Sequence, residues 1–134
     1  METSGGALET FRRYTRAFES LEPRSMVPFL HQPALFISPQ GVVVLSTPEE
    51  VERFFIPVMA DLRGRGYRSS EFSGLTERAL SADLTIVGGT AVWRTASGEV
   101  LRRFGLTYTL RRAAEGWKLV VATIHEPDAP GSPA

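Results

Sequence analysis

The chain has no cysteine among its 134 residues, and this absence alone excludes several kinds of site. A disulfide framework, a thiolate nucleophile and a cysteine-based zinc site all need a residue that the sequence does not contain. Histidine occurs only twice, without acidic residues at the spacing typical of metal ligands. We therefore predict no metal site and no cofactor.

Net charge is also missing, because fifteen basic residues balance fifteen acidic ones. A nucleic-acid-binding protein normally needs a positive field that attracts phosphates, so nucleic acid is not an expected partner. The longest apolar runs, such as Gly41 to Leu45, are far too short to cross a bilayer. The first seven residues lack the basic start and the apolar segment of a signal peptide. We expect a cytoplasmic protein with no membrane partner.

The composition, 43% hydrophobic and 22% charged, is typical of a globular domain. A chain of this length buries roughly two-thirds of the surface that its unfolded form exposes, which is enough for one core. We predict a single domain over residues 1–126. Residues 127–134 form a tail of proline, glycine and serine with too few apolar side chains to fold.

Helical signals dominate the first half of the chain. Apolar residues recur at intervals of three and four from Leu8 to Leu21, which predicts an amphipathic helix that ends before Pro23. A short helical stretch from Pro23 to Leu30 is expected next. Two β-prone runs, Ala34 to Ser38 and Val42 to Leu45, are separated by a Pro-Gln-Gly turn and predict a small hairpin.

A second helix has the clearest start signal in the sequence. Thr47 is the expected N-cap, Pro48 suits the first helical position, and Glu50 completes a capping box. Gly64 or Gly66 ends the helix, because glycine tolerates the left-handed conformation. The predicted buried stripe consists of Val51, Phe54, Phe55, Val58, Met59 and Leu62.

The second half is β-prone and broken by short turns. The expected strands run roughly over Arg68–Leu80, Leu84–Thr95, Val100–Arg111 and Trp117–His125. The turns leave no room for crossover helices, so these strands must form an antiparallel meander. Gly88 and Gly89 in the middle of a strand indicate a bulge or bend. The fold class is therefore α+β, with N-terminal helices packed on a strongly curved antiparallel sheet.

Alternation along the last two strands indicates which faces are buried. Phe104, Leu106, Tyr108 and Leu110 share one face of their strand. In the final strand Leu119 and Val121 point one way while Val120, Ala122 and Ile124 point the other, so both faces are apolar. The face that the helices leave uncovered predicts a homodimer that packs sheet against sheet. Arginines at positions 94, 102, 103, 111 and 112 are expected on the outer, solvated face.

Three phrases resemble one known superfamily. They are the run from Phe29 to Ile37 before the hairpin, the run from Ala91 to Arg94 in a middle strand, and the run from Glu115 to Val120 with His125 at the end. With the order of elements over Leu8 to Glu126, they resemble the nuclear transport factor 2-like superfamily, in particular its SnoaL-like members. The resemblance implies a cystatin-like cone whose sheet curls around a pocket closed by the helices.

The implied pocket suits a small, mostly apolar ligand. The residues expected to line it are Tyr14, Phe18, His31, Phe55, Met59, Trp93, Tyr108 and His125. In the catalytic interpretation, the Tyr14 phenol stabilises an oxyanion and the His125 imidazole acts as a general base. In the structural interpretation, Tyr14 is a core aromatic and His125 satisfies a loop carbonyl. His31, beside Pro33, better suits a structural hydrogen bond.

Two mechanisms of the superfamily lack their residues in this sequence. Its epoxide hydrolases use an Asp-Arg-Asp group with tyrosine and asparagine, whereas this chain has no asparagine and three scattered aspartates. The ketosteroid isomerase pattern needs a carboxylate base in an apolar pocket. Only Glu71 and Glu77 are candidates, and both alternate as exposed residues.

Two functions remain open from the sequence. The first is a small-molecule-binding pocket, which could belong to an isomerase, cyclase or hydrolase of unknown substrate. The second is a non-catalytic dimerisation or interaction domain whose cavity is filled by its own side chains. The superfamily contains both kinds of protein, so the fold alone does not separate them.

Overall fold

The computed structural model describes residues 6–127. Two α-helices, a 3₁₀ helix and six strands follow one another within these residues. In chain order they are α1 (Ala7–Phe18), the 3₁₀ helix (Pro23–Phe29), β1 (Leu30–Ser38), β2 (Gly41–Leu45), α2 (Pro48–Gly64), β3 (Tyr67–Ser81), β4 (Leu84–Thr95), β5 (Val100–Ala113) and β6 (Gly116–His125). The α+β class is confirmed. Of the predicted tail, 128–134 lie outside the described residues.

The strands form one six-stranded sheet in the order β2-β1-β6-β5-β4-β3. The predicted meander from β3 to β6 and the predicted hairpin of β1 and β2 are both antiparallel. The sheet as a whole is mixed, because β1 pairs in parallel with β6, a pairing that was not predicted. The chain between β1 and β6 includes α2 and four strands, so it is long enough for the crossover that a parallel pair requires.

Bulges shape the sheet. Between the pairs Ser73–Thr90 and Thr76–Gly88, strand β3 has one residue more than β4. The predicted irregularity near Gly88 and Gly89 is present, but the extra residue is on the facing strand, where Gly74 has a φ of 62°. A Cβ on Gly89 would lie 3.1 Å from the carbonyl oxygen of Ser73 and 2.9 Å from Cδ2 of Leu75, so the bulge leaves little room for a side chain there. Such bulges bend a strand and increase its twist, which curves the sheet around its inner face.

A second bulge changes the predicted faces of β6. Thr109 pairs with Val121 and Leu110 pairs with Leu119, which leaves Val120 as an extra residue. The expectation that Leu119 and Ala122 point to opposite faces is therefore wrong. Both are almost completely buried on the inner face of the sheet, because the extra residue reverses the alternation between them.

The helices cover the inner face. Helix α1 buries Ala7, Thr10, Phe11, Tyr14 and Phe18, and helix α2 buries Val51, Phe55, Met59 and Leu62. These residues join the inward side chains of β4, β5 and β6 in one core. Spacings of three and four residues put each set on one helical stripe, as the sequence pattern predicted. No helix within residues 6–127 is long and apolar enough to span a membrane.

The predicted N-cap of α2 is present. Thr47 Oγ1 accepts a hydrogen bond of 3.1 Å from the backbone N–H of Glu50. The Glu50 carboxylate accepts a hydrogen bond of 2.7 Å from the backbone N–H of Ser46. In the usual capping box the donor would be the N-cap residue itself, which is one residue later. Helix α2 continues through Pro57 to Gly64.

Replacing Thr47 by alanine should lower the free energy of unfolding by about 1 kcal/mol, because an N–H of the first turn loses its acceptor. Urea denaturation measures this change. The matched control is Ser46→Ala, since the Ser46 hydroxyl makes no hydrogen bond within residues 6–127. Equal stabilities of the two variants would contradict the role of Thr47.

Candidate functional site

A cavity lies between the two α-helices and the inner face of the sheet. Its volume is about 160 Å³. The residues that line it are Tyr14, Phe18, Phe36, Phe54, Phe55, Val58, Trp93, Arg102, Phe104, Tyr108 and Ile124. A smaller space of about 50 Å³ adjoins it and shares five of these residues. The cavity is mainly aromatic, and its polar groups are two phenols and one guanidinium.

The aromatic wall is built by ring-to-ring contacts between helices and strands. Phe18 of α1 stacks on Trp93 of β4, with centroids 5.6 Å apart and planes inclined by 19°. Phe104 of β5 meets the same indole edge-on at 5.0 Å. Near the other end of the cavity, the ring centroids of Phe36 in β1 and Phe54 in α2 are 4.7 Å apart. Offset and edge-to-face pairs of this kind add to the stability gained by burial alone.

The cavity borders a wider apolar groove. This groove has a volume of about 270 Å³ and shares Phe36, Phe54 and Ile124 with the cavity. The turn between β1 and β2 forms its outer rim through Gln40 and Gly41. The Phe36–Phe54 pair therefore stands between the groove and the cavity.

Tyr14 and Tyr108 form a buried phenol pair. Tyr14 is 5% exposed and Tyr108 is 6% exposed, and their ring centroids are 6.1 Å apart. Burial raises the pKa of Tyr108 to about 12, and the neighbouring Tyr14 hydroxyl partly offsets this rise. Burial also raises the pKa of Tyr14 well above its usual value, and the neighbouring Tyr108 raises it further. Both phenols are therefore neutral at physiological pH, and each has a proton that it can donate.

Arg102 supplies the positive charge of the cavity lining. It pairs with Trp93 across the strands, so its side chain shares the inner face with Phe104 and Tyr108. Its Cζ atom lies 5.0 Å from the centroid of Phe104 and 5.8 Å from that of Trp93, within range of a cation–π contact. The expectation that Arg102 joins an outer stripe of arginines is wrong. The strand alternation from Leu106 back through Phe104 already places position 102 on the inner face.

The two histidines lie outside the cavity. His125 is on the outer face, where its Nε2 is 3.0 Å from Oγ1 of Thr107 and its ring covers Gly105. His31 has Nδ1 2.9 Å from the carbonyl oxygen of Pro33 and Nε2 3.2 Å from Arg111. The predictions that His125 and His31 line the pocket are wrong. In both cases strand alternation or a nearby carbonyl orients the ring elsewhere.

Five of the predicted lining residues do come together. Tyr14, Phe18, Phe55, Trp93 and Tyr108 all border the cavity, while Met59 is buried in the core beside it without lining it. The lining residues that were not predicted as site residues are Phe36, Phe54, Val58, Arg102, Phe104 and Ile124. Phe54, Val58, Phe104 and Ile124 had appeared only as core positions, because a hydrophobic pattern does not distinguish a packed side chain from one that borders a void.

Carboxylates are also absent from the cavity lining within the described residues. Glu71 is exposed and forms an ion pair of 3.0 Å with Arg94. Glu77 is exposed and accepts a hydrogen bond from the N–H of Leu8. Within residues 6–127, no group of three or more potential metal ligands occurs. The cavity thus offers hydrogen-bond donors and one cation, and no base.

Comparison with known proteins identifies the family. The sequence matches the family described as NTF2-like protein (DUF6841) over residues 3–127. The chain belongs to this family. A search of curated proteins found no significant match.

Solved structures confirm that this NTF2-like chain has a cystatin-like fold. An NTF2-like protein from Novosphingobium aromaticivorans aligns with a TM-score of 0.73 and 17% identity, over 91% of this chain and 80% of that one. A protein of unknown function from Nostoc punctiforme aligns with a TM-score of 0.73 and 15% identity, over 98% of each chain. A Streptomyces avermitilis protein, provisionally named a dehydratase, aligns with a TM-score of 0.66 and 15% identity, over 87% of this chain and 90% of that one. At these identities the likeness concerns the fold alone.

The buried phenols of this NTF2-like protein predict a loss of stability in alkali. An unfolded tyrosine has a pKa of about 10, whereas burial raises the pKa of both Tyr67 and Tyr108 to about 12. The unfolded chain therefore releases protons first, and stability is full below pH 10 and declines as the pH approaches 12. Urea denaturation across this range should show the decline.

The variant Tyr108→Phe should make that decline less steep by about one proton, or about 1.4 kcal/mol per pH unit. For each protein, the free energy of unfolding at pH 7 serves as the reference for the values at higher pH. A slope unchanged by the substitution would show that Tyr108 ionises alike in the folded and unfolded chains.

Proposed function

We propose that this domain binds a small, largely apolar molecule in the cavity, where the Tyr108 phenol donates a hydrogen bond to a polar group within its reach. The observation that supports the proposal is the phenol pair, which is more than nine-tenths buried and lies in a cavity otherwise walled by aromatic rings. Pockets for small molecules commonly combine such apolar walls with a few fixed polar groups.

The phenol pair favours a ligand with a hydrogen-bond acceptor. Tyr14 and Tyr108 each carry one proton that can be donated, because burial keeps both phenols neutral. A ligand carbonyl or hydroxyl oxygen is the matching acceptor.

Binding is better supported than proton-transfer catalysis. A general base must lie within hydrogen-bond reach of the proton that it removes, with a pKa near the working pH. The lining within residues 6–127 contains neither histidine nor carboxylate, and burial keeps both phenols protonated. The isomerase, cyclase and hydrolase hypotheses therefore have an oxyanion donor but no base.

The size of the cavity limits the ligand. An apolar cavity of about 150 Å³ holds a benzene ring, and this one has about 160 Å³. The buried part of the ligand therefore corresponds to about one six-membered ring. Any longer portion must extend past the lining residues toward the surface.

Benzyl alcohol and toluene form a matched pair of probes, because they differ by one hydroxyl. We expect both to shift the indole N–H resonance of Trp93 in ¹⁵N-labelled protein. Tyr108→Phe should weaken the binding of benzyl alcohol about fivefold, since a hydrogen bond contributes about 1 kcal/mol, and should leave toluene binding unchanged.

The matched control for that substitution is Tyr67→Phe, because Tyr67 bonds to Ser70 and does not line the cavity. Val58→Trp fills the cavity and should abolish the binding of both probes. The proposal fails if neither probe perturbs Trp93, or if Tyr108→Phe and Tyr67→Phe affect benzyl alcohol equally.

The outer face of the sheet supports a second function, homodimerisation. Val44, Leu35, Val121, Thr109 and Ile86 pair in register across five strands of that face. Val44 is 56% exposed. A mostly apolar row of this length on an open face suits a second copy packed sheet against sheet.

Sedimentation velocity tests the dimer. We expect a species of twice the 14.8 kDa chain mass, and Val44→Lys should convert it to monomer by burying a charge at the interface. Ile56→Lys is the control, because Ile56 is 50% exposed on helix α2, away from the sheet. A monomeric wild-type protein, or equal effects of the two lysines, would contradict this interface.

A further inference from the structure

We infer that the ligand of the cavity is a monocarboxylate: an acid with a single apolar ring, whose carboxylate pairs with Arg102 while the ring enters the aromatic cavity. This inference rests on the proposed binding function and specifies the class of ligand. Its basis is the position of one guanidinium among the cavity-lining side chains.

The charge pattern of the lining favours an anion. Arg102 is the one charged residue among the described side chains that border the cavity. The adjoining groove has no charged residue among the described side chains of its lining. Arg102 is exposed to solvent. An anion beside it therefore meets attraction from one cation and no repulsion from a carboxylate of the described lining, and solvent screens part of that attraction.

Arg102 is available for such a pair. Within residues 6–127 it forms no ion pair, and its contacts are the faces of Phe104 and Trp93. Arg65, which donates to the carbonyl of the adjacent Leu101, is already paired with Asp61 at 3.3 Å. The site thus has one uncompensated positive charge, which matches the single negative charge of a carboxylate. The planar guanidinium also fits the two carboxylate oxygens.

The spacing of the polar groups sets the length of the ligand. The Arg102 guanidinium lies over Phe104, and Tyr108 is four residues further along the same face of β5. Four residues of strand span about 13 Å, and the side chains of Arg102 and Tyr108 both occupy part of that distance. We propose a ring with an acid chain of two or three carbons, which extends from Arg102 toward Tyr108.

The isosteric pair 3-phenylpropanoate and 3-phenylpropanamide tests the inference, because the two differ in charge and hardly in shape. Wild-type protein should bind the acid about fivefold more tightly than the amide, as for a partly exposed charged pair of about 1 kcal/mol. Arg102→Gln should remove this preference while leaving amide binding unchanged. Titration by calorimetry or by the Trp93 indole resonance gives the dissociation constants.

Arg103→Gln is the matched control. Arg103 follows Arg102 on β5, but it pairs with Val92 of β4 and faces the outer side of the sheet. It should retain the full preference for the acid, and 0.5 M NaCl should reduce that preference. Equal binding of acid and amide by the wild type overturns the inference, as does a preference that survives Arg102→Gln. If toluene still binds in either case, the proposed binding function stands; if toluene, acid and amide all fail to bind, both are overturned.

Discussion

The contact between helix α1 and the curved inner face of the sheet determines the rest of this structure. Phe18 stacks on Trp93, and Phe11 meets Tyr108 edge-on at 5.5 Å, so aromatic rings hold the helix against β4 and β5. Large flat rings set the helix at a distance from a sheet that curves away from it. The hollow between them is a geometric consequence, since stiff aromatic side chains meet at their edges and faces without filling every gap.

The same contact explains the chemistry of the cavity. Tyr14 and Tyr108 are in the hollow because the α1 stripe and the β5 alternation bring a tyrosine from each element to the interface. Once they are buried, water no longer stabilises the phenolate, so both side chains remain neutral donors. The proposed binding function depends on these neutral donors and on the aromatic rings around them.

The sequence predicted the elements of the fold well and the site only in part. The Thr47 cap, the apolar stripes and the turn residues specify local structure, and each helix and strand is found close to its expected position. The parallel pairing of β1 with β6 depends on contacts far apart in sequence, so local patterns did not reveal it. The bulge at Val120 reverses the alternation of β6, which no regular period anticipates.

The same distinction applies to individual side chains of the site. Tyr14, Phe18 and Trp93 were predicted correctly because their faces follow from helix and strand periods. His125 was expected in the cavity because an imidazole suits a general base. Strand alternation instead puts it with Thr107 on the outer face. Arg102 was expected on the outer face because of its charge, although its position two residues before Phe104 places it on the inner face, where it lines the cavity and remains exposed.

The central claim is that an apolar hollow exists between α1, α2 and the sheet. Xenon is the most direct probe of it, because this atom binds dry apolar cavities through dispersion alone and needs no polar group. A crystal structure of the protein under xenon pressure should show xenon bounded by Phe18, Trp93 and Tyr108. Close packing of these three side chains, with no xenon between them, would contradict the account.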